Sequence, residues 1–430
     1  MAGSITMSWE VNYLNFKNSS ALDSLTANEK RQKSFETFIA KGLPTKRDEA
    51  WKYTSLTDFK STEWRSHPDS ETHLTHEQMQ EVSKKLPSEF LNFVFVNGVL
   101  HQTLSDDADD LIEIKELDEN DFIFDDKNVE ERLLNLAQSF LNKKISLSVI
   151  KNKVIDRPVQ VLFIQTSANA IYSSEKLNIQ LAENSEMKLI VHSMSFVNST
   201  ADAINLNIDI SVENSARLTF IQLQNEDLDS FHFSQCQLNL ASSAQVLSLV
   251  LSLGNKLVRN YYHLKFSGEN ASAAIYGLGV IDGSQHLDNY TFIQHATGNN
   301  QSIQHYKSIL SGHAHSAFRG RVFIEPNAQK ADSEQLNNNL LLTRTAQAES
   351  IPQLEIFADD VKAGHGATFG QLNKDEIFYF LSRGINQYQA VKMLSYGFAK
   401  VLVHKVENQD MQNYLISALN QKLEHMVQNA

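Results

Sequence analysis

From about Ile145 onward, short runs of β-branched and aromatic residues alternate with polar ones, and helix-like spacing is absent for roughly 200 residues. Turn signals recur inside this region: Glu183-Asn184-Ser185, Glu213-Asn214-Ser215, Ser242-Ser243-Ala244, Glu269-Asn270-Ala271, Gly298-Asn299-Asn300 and Pro326-Asn327-Ala328. From Asn184 through Asn214, Ser243, Asn270, Asn299 and Asn327 the steps are 30, 29, 27, 29 and 28 residues. A near-constant period of that size, with a strand on either side of each turn, predicts a solenoid whose coils bury their apolar faces only by stacking. Only 6 prolines occur in the chain, which suits a stacked ladder because proline removes a donor and belongs at edges. A β-sandwich with irregular loops is the alternative that periodicity leaves open.

The flanks read differently. Leu22, Leu25 and Ala27 lead into Phe35, Phe38, Ile39 and Leu43 at helical spacing, and Pro44 stops the pattern. Phe93-Val-Phe-Val96 before Asn97-Gly98, with Val99-Leu100 after, predicts a small hairpin. The acidic run from Asp106 to Asp126 reads as a solvated linker. Asn128 and Glu131 have capping-box spacing before Leu133, Leu134, Leu136, Ala137, Phe140 and Leu141. The β pattern ends near Gly370, where Asn373 and Glu376 repeat that spacing and Gly384 suits a position just past a helix end. A second helix is expected from about Asn386, and a third, shorter one through Met411, Leu415, Ala418 and Leu419. The expected fold is mainly β: a mostly helical region over 1–144, a parallel β-helix over 145–372 and a helical region over 373–430.

Charge and composition narrow the function. With 38 Lys and Arg against 51 Asp and Glu, the formal charge is -13, which opposes attraction to phosphate backbones and argues against nucleic acid as a partner. The beginning of the chain lacks a signal-peptide pattern and no window of about 18 apolar residues occurs, so no membrane partner and a cytoplasmic location are expected. The one cysteine, Cys236, reads as a small buried hydrophobe and cannot build a thiolate cage from this chain alone.

No phosphate-binding lysine loop, dinucleotide fingerprint, nucleophile elbow or paired-cysteine motif is present, so catalysis by this chain alone is not expected. His313-Ala-His315 places two imidazoles where a strand would turn both to one face, a weak metal signal beside the reading of a solvated turn pair. Asp359-Asp360-Val-Lys-Ala-Gly-His365-Gly-Ala-Thr368 sets a histidine between glycines that permit positive φ and leave the imidazole unshielded. His365 is then either a structural turn residue or an iron ligand or proton carrier near neutral pH. Asp359 and Asp360 are further weak ligand candidates, although a strand would point only one of them with the histidine.

Several segments carry a resemblance: Pro352-Gln-Leu-Glu-Ile-Phe-Ala-Asp-Asp-Val-Lys362, His365-Gly-Ala-Thr368 and Phe378-Tyr-Phe-Leu-Ser-Arg-Gly-Ile385. Upstream stand Gln335-Leu-Asn-Asn-Asn-Leu-Leu-Leu342, Tyr306-Lys-Ser-Ile-Leu310, Phe318-Arg-Gly320, Gly42-Leu-Pro-Thr45 and Trp51-Lys-Tyr-Thr54. Together these resemble the SufB/SufD family of iron-sulfur cluster assembly scaffolds, and the N-terminal piece and modest length point to its SufD branch. The resemblance implies a right-handed parallel β-helix between helical regions. It also implies a SufB-like partner joined through the β-helix and a SufC-like ABC ATPase docked on the C-terminal helices, with ATP bound by that other subunit.

Docking candidates on those helices are Ile377, Phe378, Tyr379, Arg383, Gly384, Leu394 and Phe398. The resemblance further implies that His365 lies at the SufB interface beside a transient iron or iron-sulfur cluster, with reduced flavin associated only with the whole complex. The isolated chain is a candidate homodimer. Many relatives have a cysteine where this chain has Ala363, so sulfur is expected to be accepted by the SufB-like chain. Two other readings stand beside this scaffold: a carbohydrate-active β-helix enzyme, against which the absent signal peptide counts, and a purely structural solenoid.

Overall fold

The computed structural model describes residues 2–19, 25–66, 74–107, 112–115, 131–141, 144–167, 170–197 and 201–428. The chain winds between two ten-stranded sheets that face each other across a filled lumen. Sheet one runs from Ile112–Lys115 and Lys144–Val149 through Ile171–Leu181, Asp202–Val212, Phe231–Leu240, Leu257–Phe266, His286–His295 and His315–Ile324 to Gln347–Ile356. The short strand Arg65–Ser66 also joins it, beside Ile171–Leu181. Sheet two runs from Val99–Leu100 and Leu91–Val96 through Val159–Ser167, Glu186–Val197, Arg217–Asn225, Gln245–Ser252, Ser272–Ile281, Gln301–Leu310 and Asp332–Leu341 to Lys362–Gly370. Successive coils pair in parallel, giving a β-solenoid of about seven turns.

The periodic turns line one margin of this solenoid. Asn184, Ser243, Asn270 and Asn299 adopt left-handed φ of 57°, 58°, 59° and 59°, the conformation in which a short polar side chain bonds locally. In two coils the left-handed residue falls later than the asparagine signal, at Ser215 and Lys330. The coils are also tied there: Asn184 N donates to Asn214 O at 3.0 Å, and Ala271 N donates to Asn300 Oδ1 at 2.8 Å. On the opposite margin Gly283 and Gly312 stack with φ of 58° and 61°, so close that a Cβ on Gly312 would lie 3.0 Å from Gly283 N.

Across the lumen the two margins differ in chemistry. Near the asparagine margin the filling is aliphatic, with Leu177, Ile208, Leu238, Leu264 and Ile293 opposite Leu189, Leu218 and Ile275. Near the glycine margin it is polar and hydrogen-bonded from coil to coil. There Gln224 Nε2 donates to Asn260 Oδ1 at 2.7 Å, Asn260 Nδ2 to Asn289 Oδ1 at 2.9 Å, and Ser234 Oγ to Gln222 Oε1 at 3.0 Å. Burial in this half pushes the Glu175 carboxyl up to about 8 and, with Asp227 and Glu226 nearby, that of Asp202 to about 7.

Helices cover both outer faces. Against sheet one, α1 (Ala2–Ser19), α2 (Leu25–Lys41), the short α3 (Thr57–Ser61) and α5 (Glu131–Ser139) build an aromatic cluster. It contains Trp9, Tyr13, Phe38, Trp51, Phe59 and Phe140, seated on Tyr172, Phe231 and Phe233. The short α4 (His76–Ser83) is closed by a Thr75–Gln78 capping box that the sequence reading did not single out. Against sheet two lie α7 (Gln387–Val403) and α8 (Gln409–Gln428), whose Ala399, Leu402, Met411, Leu415 and Leu419 pack on Leu223, Leu251, Leu278 and Ile309. Between the last strand and α7 comes α6 (Lys374–Ser382).

Several expectations change here. The hairpin at Asn97-Gly98 forms, with φ of 51° and 80°, but it is no separate unit: Leu91–Val96 pairs in parallel with Val159–Ser167 and so begins sheet two. The third C-terminal helix is longer than α7, not shorter, because apolar positions continue through Leu423 and Met426. Asn373 caps α6 through Asp375 N at 2.9 Å, not through a box with Glu376. Leu22, Asn128 and most of the acidic run after Asp107 lie outside the described residues.

Candidate functional site at the open end of the solenoid

The two ends of the solenoid are unlike. At the N-terminal end Val99–Leu100 and Ile112–Lys115 close the sheets by antiparallel pairing. At the C-terminal end, among the described residues, no strand lies beyond Gln347–Ile356 or Lys362–Gly370. Positions that alternate buried and exposed in earlier coils are mostly part-exposed on Gln347–Ile356 and mostly exposed on Lys362–Gly370, and Ile356, Phe357 and Phe369 are 39%, 58% and 52% accessible.

His365 sits on that terminal strand, exposed, and not in a turn as its glycine neighbours suggested. Neither Gly364 nor Gly366 takes a positive φ; they serve by having no side chain, and Gly364 has open space where a Cβ would project. Register fixes what lies behind the histidine. His365 pairs with Gln335, Gln335 with Gln304 and Gln304 with Ile275, a column that continues a lumen-facing row through Ser248, Phe220 and Leu189. Because side chains on adjacent parallel strands in register share a face, His365 stands over the lumen at its mouth. Ala363 is two positions earlier in the same row, part-buried against the main core.

The other candidates lie elsewhere. His313 is exposed in the turn before strand His315–Ile324, so the pair is not on one strand and does not share a face. The His315 imidazole bonds Glu349 on the outer face of sheet one and meets His286 edge-on at 4.6 Å between ring centroids. Burial, chiefly, lowers His286 to about 4, which keeps it neutral against its neighbours. Asp359 and Asp360 are exposed in the bend before the last strand, where Asp360 N donates to Gln329 Oε1 at 2.9 Å and Asp360 O accepts from Lys330 N. The Asp360 backbone ties this turn to the preceding coil. Among the described residues no three His, Cys, Asp or Glu side chains gather into a metal-binding group. Cys236 is fully buried in the aliphatic core, and burial raises its thiol well above the usual range.

A second exposed surface follows directly. On α6 no residue is buried, and Phe378, Tyr379 and Leu381 are 71%, 57% and 43% accessible. Arg383 lies over the Tyr379 ring at 5.2 Å, and Gly384 has φ 81°, ending the helix as its position predicted. Ile377 and Leu394 are part-exposed. Phe398 is different, because it packs back on the solenoid with Lys307 Nζ 4.1 Å from its ring and bonded to its carbonyl at 3.0 Å.

Residues 163–398 match the family model described as SUF system FeS cluster assembly, SufBD core domain. The chain belongs to this SufBD family. It is similar to the iron-sulfur cluster assembly protein SufD of Escherichia coli (strain K12), at 29% identity over 398 residues that cover 91% of this chain and 92% of the relative. It is also similar to an iron-sulfur cluster assembly SufBD family protein of Mycobacterium leprae, 33% identical over 50% of this chain and 57% of that one. A SufBD family protein of Synechocystis sp. is 24% identical over 91% of this chain and 90% of its own length. Membership in the SufBD family makes this an iron-sulfur cluster assembly protein and sets the carbohydrate-active reading aside.

The signature segments of the SufBD resemblance find distinct places. Trp51-Lys-Tyr-Thr54 clamps the outer face of sheet one, where the Trp51 ring stacks 4.3 Å from the Arg259 guanidinium and Thr54 bonds His286 at 2.9 Å and also Asp288. Arg259 pairs with that same buried Asp288, so this segment is structural. Gln335 and Gly320, by contrast, belong to the lumen mouth beside His365. The sequence reading gave neither a role; their signal was a glutamine and a glycine at lumen-facing register where earlier coils place Ile275 and Phe220 in the one column and Tyr262 and Ile208 in the other.

Proposed function

We propose that this chain is a non-catalytic scaffold of a SUF-type assembly complex, pairing with a SufB-like subunit through the open end of its solenoid. His365 then faces a transient iron or iron-sulfur cluster, the cargo of the complex, at that interface. The observation that carries the reading is an exposed histidine on an edge strand that still has hydrogen-bonding capacity on its outer side, at the one end not closed by antiparallel strands. Pro352 supports it: the edge of sheet one contains a proline, which blunts pairing there, whereas Lys362–Gly370 contains none.

A SufC-like ABC ATPase docks on α6 and the start of α7, supported by the exposed Phe378 and Tyr379, and ATP is bound by that partner. Phe398 acts from behind, fixing α7 on the solenoid. Reduced flavin, where present, belongs to the complex. The same open end accounts for a homodimer of the isolated chain, and cytoplasm is the proposed location. No helix of the described residues is long and apolar enough to cross a membrane.

The test is co-expression with SufB-like and SufC-like chains, anaerobic purification and cluster absorbance for native protein and His365→Ala. Intact assembly with a cluster yield reduced at least about tenfold, the scale of one lost ligand or proton carrier, is expected. Unchanged assembly and unchanged yield would leave a purely structural solenoid.

A further inference from the structure

Three segments meet at the lumen mouth: Gln335 from Asp332–Leu341 and Gly320 from His315–Ile324 belong to one coil, and His365 from Lys362–Gly370 stands over Gln335 on the next. The Gln335 side chain is fully buried, and neither amide atom has a partner among the described residues. It reaches across to the opposite sheet, since a Cβ on Gly320 would lie 2.1 Å from Gln335 Nε2. Any other residue at 320 would push the amide out. One coil deeper, Gln304 accepts a hydrogen bond from Thr291 Oγ1 at 2.6 Å and leaves its own Nε2 without a partner.

An unpartnered buried amide atom costs about 1–3 kcal/mol, and an aliphatic residue would fill this row as Ile275 and Leu189 do in earlier coils. A buried water needs two to four polar partners. The mouth offers Gln335 Oε1 and Nε2 and Gln304 Nε2, and His365 stands next in the same lumen-facing column.

We propose that Gln335 is a positioning residue for His365: its carboxamide, with Gln304 below it, holds the inward nitrogen of the imidazole across one bound water. The outer nitrogen is thereby presented at the open end in a fixed tautomer. This deepens the interface role proposed for His365 and rests on it only for its consequence.

The test uses the full chain with ¹⁵N-labelled histidine, His365 being assigned by its loss in His365→Ala. At a pH where the ring is neutral, the two ring ¹⁵N shifts read the tautomer. A single tautomer is expected in the native chain. Gln335→Met, which keeps volume and removes both polar atoms, should raise the minor tautomer about fivefold, the ratio one net hydrogen bond sustains. Gln335→Glu should restore a single tautomer. If Gln335→Met does not fold, Gln304→Met removes another partner of the same water and should show the same drift. A native mixture, or variants indistinguishable from native, overturns the inference whatever the cluster yield. A fixed tautomer beside a His365→Ala complex with undiminished cluster would overturn the interface reading and leave Gln335 in its role.

Discussion

A histidine and a glutamate in this lumen stand in opposite settings, one exposed and one buried. His365 is solvent-exposed and makes no packed contribution, so His365→Ala should change the unfolding free energy by no more than about 1 kcal/mol, the scale of the one water-mediated hydrogen bond proposed for it. Glu175 is the opposite case, buried beneath the Asn97-Gly98 turn, where a Cβ on Gly98 would lie 2.7 Å from its Oε1. Burial raises its carboxyl from 4.5 to about 8, so between those values the native chain holds a proton that the unfolded chain has lost. Stability therefore falls with rising pH across that window, by about 1.4 kcal/mol per pH unit from this group alone. His192, His286 and His295, lowered chiefly by burial to about 3, 4 and 4, act in the other direction below about 6.5. In urea titrations from pH 4 to 9, Glu175→Gln should remove this slope between about 4.5 and 8, steepening the rise below about 6.5 and flattening the decline above it, while Asp202 acts in the same direction only up to about 7. An unchanged alkaline slope would remove Glu175 from this role. The exposure of His365 was legible from its flanking glycines but its place on a strand was not, since those glycines read as a turn, and a glutamate among alternating residues reads as surface until a facing sheet covers it.

At the scale of elements, apolar helical residues divide into those that hold the fold and those left exposed. Leu419 on α8 is fully buried against sheet two, and Leu419→Ala should cost about 2–5 kcal/mol by leaving a cavity. Phe378 and Tyr379 on α6 are mostly exposed, so replacing both with serine should leave the thermal midpoint within about 2 °C while weakening co-purification of the ATPase at least about tenfold. Loss of stability in the double variant, or retention of the ATPase, would reverse that division. Caps and apolar spacing were enough to find α6, α7 and the Gly384 stop, since those signals are local. They did not tell which face meets the solenoid: Phe398 and Phe378 look alike in sequence, and only the packing of Lys307 on the former separates them. The extent of α8 was missed because its later turns mix Leu423 and Met426 with charged and amide residues.

For the whole molecule, the asparagine period was the most legible feature, because the coils from Asn184 to Lys330 reverse at the same margin and each uses a left-handed residue there. The polar half of the lumen was not legible, since Asn, Gln and Ser at alternate positions are the usual mark of an outer face. The unequal ends were equally hidden: antiparallel closure at one end and none at the other depends on pairing between distant segments. If the open end is where another chain pairs, Phe369→Lys should reduce SufB-like partner binding at least about tenfold and shift any homodimer to monomer in sedimentation, with the denaturation midpoint unchanged. Dimer and partner affinity equal to native would place pairing elsewhere. The inequality of the ends also orders events in time. During synthesis the closed end leaves the ribosome first and can wind coil upon coil, each new strand finding a finished template. The unclosed strand Lys362–Gly370 emerges only after most of the solenoid behind it exists, so any pairing through it waits on a nearly complete coil stack.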